Sequence, residues 1–192
     1  MLRKIYDWTL SKADHPQALW VLAFVSFIES SVFPIPPDVL MIPMIIARPS
    51  RAWRIAAVAL VASVLGGLLG YAIGAFAMDT IGDPILASLG KTEAKVIFDE
   101  RFNDKGFWAV LIAGMTPFPY KVITIMSGAT GMNLTTFVAT SILARGLRFF
   151  IVAFLLWKFG APIREFIEKR LGLMFTLFVI LLVGGVSLLK FL

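Results

Sequence analysis

The sequence predicts an all-α integral membrane protein. It reads as two inverted repeats, each a proline-broken re-entrant hairpin plus a transmembrane helix, with an additional C-terminal transmembrane helix. Three observations lead there. Of the 192 residues, 59% are hydrophobic and only 16% charged, and the mean hydropathy is +0.87, a balance that water could not keep soluble. The apolar residues gather in stretches on the scale of the roughly 20 residues that one span requires. Two of those stretches also share the pattern P-x-P-x-[D/K]-V-x-x-I, at a constant offset of 83 residues from Pro34 to Pro117.

Taken in order, residues 1–16 ("MLRKIYDWTLSKADHP") mix Leu2, Ile5, Tyr6 and Trp8 with charges and suit a helix lying in the membrane interface better than a signal peptide. Residues 17–47 form the first broken stretch, with Pro34 and Pro36 at its tip. A continuous span follows over 52–77. Residues 91–105 alternate charges with Val96, Ile97, Phe98 and Phe102, favouring a second interfacial helix. The second broken stretch covers 107–131, with Pro117 and Pro119 at its tip, and a second span covers 134–157. A linker from 160 leads to the C-terminal span, ending at Leu192.

Proline removes a backbone donor and blocks helix continuation, so a P-x-P pair forces an extended turn. At membrane depth such backbone is tolerated only where protein buries it or where it lines a hydrated cavity. The economical reading is two re-entrant hairpins whose tips meet; two kinked spanning helices are the alternative. Under both, the lysines and arginines place the N-terminus in the cytoplasm. Interrupted segments at matching positions of two repeats are also the sequence pointer to a transport site.

The ionisable residues inside the apolar stretches are Glu29, Asp38, Lys121, Arg145 and Arg148. Each costs about 3 kcal/mol at the bilayer centre unless paired or hydrated. Together they sum to one positive charge, which suits an anionic ligand such as a lipid phosphate. Lys121 occupies the position equivalent to Asp38, so an Asp38 to Lys121 pair between repeats is expected. Arg145 and Arg148 share a helix face and offer guanidinium forks to a phosphate. Buried ion pairs that fix the fold, or arginines that snorkel to the interface, are the structural alternative. Gly66, Gly70 and Gly74 form a small-residue face for close packing against a hairpin. Gly128 and Gly131 are expected to end the second hairpin, with Asn133 or Thr135 capping the next helix.

Composition also excludes. There is no cysteine, so no thiolate metal site can be built, and with the single His15 in a polar stretch the usual phosphatase constellations are hard to build. No catalytic residue, cofactor or metal is expected. The net charge of +6 falls mostly at segment ends, where membrane topology and anionic headgroups require it, so no nucleic-acid partner is expected.

"FIESSVFPIPPDVLMIP", "GGLLGYAIG" and "GMTPFPYKVITIMSGATGMNLTTFVATSILARGLRFF" resemble the DedA family of bacterial membrane proteins, also called the VTT or SNARE-associated Golgi protein domain, and within it the YqaA-like branch. The resemblance runs from about Ala18 to Phe159. It implies two opposed re-entrant hairpins in the bacterial inner membrane and a flippase or scramblase moving phospholipid or undecaprenyl phosphate between leaflets, with proton coupling in several members. On that reading Lys121, Arg145 and Arg148 hold the phosphate, while Glu29 and Asp38 take up protons or balance charge. Two features depart from the family pattern. Only nine positions separate Glu29 from Asp38, and Gly114 stands where the family commonly has an arginine before the second tip. An ion-coupled small-solute carrier and a non-catalytic envelope assembly protein are the alternatives; a hydrolase of lipid phosphates is disfavoured. Apolar helix faces and the glycine stripe permit a homo-oligomer without requiring one.

Overall fold

A computed structural model describes residues 17–32, 36–116 and 118–188, beyond Gly160 as backbone. The expected N-terminal interfacial helix over 1–16 and the tip prolines Pro34 and Pro117 lie outside the described residues. Every regular element among the described residues is helical: α1 (Ala18–Glu29), α2 (Asp38–Ala47), α3 (Ala52–Ala77), α4 (Asp83–Ser88), α5 (Thr92–Asp104), α6 (Gly106–Met115), α7 (Tyr120–Ala129) and α8 (Leu134–Leu188).

The breaks follow the prolines. α1 stops at Glu29 in a turn that Val32 closes by donating to the Ile28 carbonyl, and α2 restarts with Pro37 as its N-cap. α6 stops at Met115, and α7 restarts after Pro119. A one-turn 3₁₀ segment (Pro49–Arg51) opens α3, and a π-helical turn (Met78–Gly82) joins it to α4. Gly90, at φ 65°, reverses the chain into α5.

With 12, 10, 10 and 10 residues, α1, α2, α6 and α7 are about 15–18 Å long, each too short to cross a bilayer alone. α3 and the 134–160 part of α8 are long and apolar enough to cross. The backbone of α8 then continues past residue 160, where the sequence suggested a linker. Pro162 removes one intrahelical donor without ending the helix.

The two flanks of the second broken segment touch. The Asn103 side-chain amide donates to the Thr130 carbonyl at 2.8 Å, and Gly106 packs against Met132. At the first, Ala18 and Leu19 pack into the cluster that holds Ile45, Ile46, Ala52 and Ile55. This cluster joins both arms of the first pair to the start of α3 and to Phe149, Ala153 and Leu156 of α8. A second cluster (Val110, Ala113, Tyr120, Ile123, Met132 and Phe137) joins the other pair to the start of α8. α3 and α8 therefore run side by side in opposite directions, with one broken segment packed toward each end of the pair.

Glycine makes that arrangement possible. A Cβ on Gly66 would sit 2.0 Å from the Phe27 carbonyl oxygen, one on Gly70 2.2 Å from Thr124 Oγ1, and one on Gly74 1.9 Å from the Ile125 carbonyl oxygen. One face of α3 is thus pressed first against α1, then against α7. Gly128 belongs to the same contact, its missing Cβ lying 1.9 Å from the Tyr71 carbonyl oxygen. Its role is helix packing rather than the turn expected of it. The turn falls to Gly131 (φ 63°), and Asn133 caps α8 by accepting from the Thr136 amide at 3.0 Å.

A candidate functional site where the broken segments meet

The described ends of the broken segments meet beside the middle of α3 and the middle of the 134–160 part of α8. Ser63 lies about 17 Å from the start of α3, and Arg145 a similar distance from the start of α8, at 1.5 Å per residue. There the acids of the first broken segment face the arginines of α8. Arg145 pairs with Glu29 at 2.6 Å, and Arg148 with Asp38 at 2.5 Å.

The two pairs differ in their surroundings. The Arg145 side chain is 2% exposed, its guanidinium held between the rings of Tyr120 (4.8 Å) and Phe149 (4.7 Å). Its Nε donates to Ser63 Oγ at 2.7 Å; that hydroxyl lies 2.7 Å from Ser30 Oγ, itself 3.1 Å from the Glu29 carboxylate. Glu29, Ser30, Ser63 and Arg145 close a ring linking α1, α3 and α8, roofed by Tyr120, whose hydroxyl donates to Ser141 Oγ. Low dielectric strengthens each of these contacts. Asp38 and Arg148 are 17% and 16% exposed, so this pair is reachable from outside the bundle. Arg148 also donates to the Thr116 carbonyl, at the end of α6. One arginine therefore holds both tips.

Lys121 makes no ion pair among the described residues. Its ammonium donates to the Val32 carbonyl at 3.0 Å. The expected Asp38 to Lys121 pair does not form. Lys121, in the first turn of α7, is aimed at the end of α1, where carbonyls lack intrahelical donors, whereas Asp38, in the first turn of α2, is aimed at α8. Thr124 supports the same junction by donating to the Ser30 carbonyl at 2.9 Å. Pro36 and Pro119 flank the junction; Gly66, Gly70 and Gly74 stay on the packing face of α3.

Sequence reasoning missed Ser30, Ser63, Tyr120 and Thr124. Ser63 had a usable signal: it lies seven positions before Gly70 in an otherwise aliphatic stretch, on the glycine face of the helix. No group of three or more histidine, cysteine or carboxylate side chains able to hold a metal ion occurs among the described residues.

Paired helix breaks around a buried charged junction, flanked by two long apolar helices, define a class of helical membrane domain rather than a soluble fold. The VTT domain family model matches residues 35–158, and the chain belongs to this family, also known as DedA, whose members are generally linked to membrane transport. An uncharacterized protein of Haemophilus influenzae is 40% identical over 168 residues, covering 85% of this chain and 87% of the relative. An uncharacterized homolog from Histophilus somni is similar to the same extent. No solved structure matches the chain.

Proposed function

We propose that the protein moves lipids with phosphate-bearing headgroups, phospholipid or a polyprenyl phosphate, between the leaflets of the bacterial inner membrane. In this reading the broken segments are re-entrant hairpins and the N-terminus is cytoplasmic. The supporting observation is the Asp38–Arg148 pair: a partly exposed ion pair at mid-depth, with Lys121 on the facing tip lacking a carboxylate partner among the described residues. A phosphate can exchange for Asp38 on the Arg148 fork and gain Lys121 as a second contact, while its tail stays in lipid. Protonation of Asp38 would favour that exchange by releasing Arg148, which is how a proton gradient could couple to movement. The Glu29–Arg145 pair, enclosed by rings and hydroxyls, holds the junction together and does not meet the headgroup.

Leaflet exchange in proteoliposomes tests this. A fluorescent phospholipid and a fluorescent polyprenyl phosphate are followed with and without an imposed pH gradient. Exchange above that of empty liposomes, reduced at least about tenfold in Lys121→Ala, supports the reading, since losing a charge-assisted contact costs about 1.5–3 kcal/mol; Asp38→Asn, which frees Arg148 permanently, is expected to keep exchange and lose its dependence on the pH gradient. Absence of exchange for both lipids, with uptake of a small anion instead, would transfer the same site to a solute carrier.

A further inference from the structure

The end of the bundle where α3 begins carries a feature that the mid-depth junction does not use. Ala52 and Ile55 are buried, and at 100° per residue this turns Trp53 and Arg54 outward. On α8, Phe150, Phe154, Trp157 and Lys158 fall at i, i+4, i+7 and i+8, one stripe facing the same way. Trp53 stacks on Phe150 (centroids 6.0 Å, planes 21° apart) and leans on Trp157 (6.0 Å), which meets Phe154 at 6.3 Å. Trp53 and Trp157 remain 43% and 49% exposed, so the aromatic platform keeps an open outer face. The Lys158 ammonium lies over the rings of Phe154 (5.7 Å) and Phe159 (5.5 Å).

Among the described side chains, the charge around this platform is of one sign. The sequence has no Asp or Glu between Asp38 and Asp79, nor between Asp104 and Glu165, so among the described residues Arg51, Arg54 and Lys158 meet no carboxylate at this end. The opposite end differs. Its exposed aromatics, Phe107 and Trp108, follow a segment in which the six carboxylates from Asp79 to Asp104 outnumber the four bases from Lys91 to Lys105.

From this juxtaposition we infer a binding site for one anionic phospholipid on the platform formed by Trp53 and Trp157, with its headgroup on Arg54 and Lys158. The indole faces take the upper acyl chains and glycerol region, as interfacial tryptophans do. The guanidinium and ammonium take the phosphate. Aromatic cages also attract quaternary ammonium groups, but the surrounding cations oppose a choline headgroup and select an anionic one. The site is separate from the mid-depth junction and does not depend on lipid transport.

Quenching by brominated lipid tests it. Replacing Trp8, Trp20 and Trp108 by Phe leaves Trp53 and Trp157 as the only tryptophans. This variant is placed in phosphatidylcholine vesicles with increasing dibromo-phosphatidylglycerol, and in the converse mixture with dibromo-phosphatidylcholine. The expected result is an anionic-over-zwitterionic binding ratio of at least about fivefold at low salt. That ratio should fall toward unity in about 0.5 M salt, where exposed charges are screened, and in the Arg51→Gln, Arg54→Gln, Lys158→Gln triple variant. A reporter retaining only Trp108 should show a ratio near unity. A ratio near unity at Trp53 and Trp157, the same preference at Trp108, or a preference that survives neutralisation would each overturn the site. The three cations are exposed side chains, and circular dichroism of the triple variant verifies that its helices are intact.

Discussion

Arg145 and Arg148 stand one helical turn apart, yet their surroundings give them different work. Arg145 is enclosed between two rings and satisfied by Glu29 and Ser63; Arg148 reaches Asp38 and Thr116 at the edge of the bundle. Removing one partner of a buried pair strands the other, at a cost of about 3–5 kcal/mol, whereas replacing both by apolar side chains of similar volume is often neutral. Glu29→Gln and Arg145→Met are each expected to lower resistance to unfolding in detergent by about that amount, and Glu29→Leu combined with Arg145→Met to regain most of it. Asp38→Asn, at a partly exposed pair, should cost no more than about 1 kcal/mol while leaving exchange that no longer responds to the pH gradient. Unfolding midpoints in graded denaturing detergent, read beside leaflet exchange, separate the cases. Equal destabilisation by Glu29→Gln and Asp38→Asn would contradict the division.

At the scale of elements, α3 is a spine with one face shaved to hydrogen. Beside Gly74 and Gly128 the obstructing atoms are backbone carbonyl oxygens at 1.9 Å, which cannot rotate away as a side-chain tip can. Gly74→Val and Gly128→Val are therefore expected to prevent α3 and α7 from docking and to abolish accumulation of folded protein. Gly146→Ala, whose nearest obstruction is Leu60 Cδ2 at 3.7 Å, should be tolerated. Gel-filtration profiles of fluorescent-protein fusions measure this directly, and a well-folded Gly74→Val would refute the contact. The packing face was legible from the spacing of Gly66, Gly70 and Gly74, and the helix breaks from the prolines, because both are local signals. The pairing of charges was not. Which base meets Asp38 depends on where α7 and α8 come to lie, and a repeat offset says only which positions correspond. The repeat suggested Lys121; Arg148 won because α8 passes closer to the first turn of α2. The course of the chain past residue 160 was likewise misread: the backbone continues as helix through Pro162 where a linker was expected.

Along the described chain a pair of short helices followed by a long one occurs twice, but the chemistry does not recur. Asp38 in the first broken segment corresponds to Lys121 in the second, and Glu29 corresponds 83 positions on to Ile112, an exposed aliphatic residue. Both acids thus belong to one segment, the lysine that makes no ion pair among the described residues to the other, and both arginines to α8. A pathway along this junction would meet carboxylates from one side and Lys121 from the other, so the two leaflets would present different encounters to the same headgroup. That argument requires each broken segment to enter and leave on a single face, and labelling can decide it. The chain has no native cysteine, so single cysteines introduced at Gln17, Arg51, Lys105 and Thr135 report without background. In inside-out and right-side-out vesicles treated with a membrane-impermeant maleimide, Gln17→Cys and Arg51→Cys are expected to react from the cytoplasmic face. Lys105→Cys and Thr135→Cys are expected to react from the other. The hydrogen bond from Asn103 to Thr130 brings the flanks of the second segment together. Labelling of Lys105 and Thr135 from opposite faces would make that segment a kinked span, leave the two tips on different routes through the bilayer, and remove the shared junction on which lipid movement was argued.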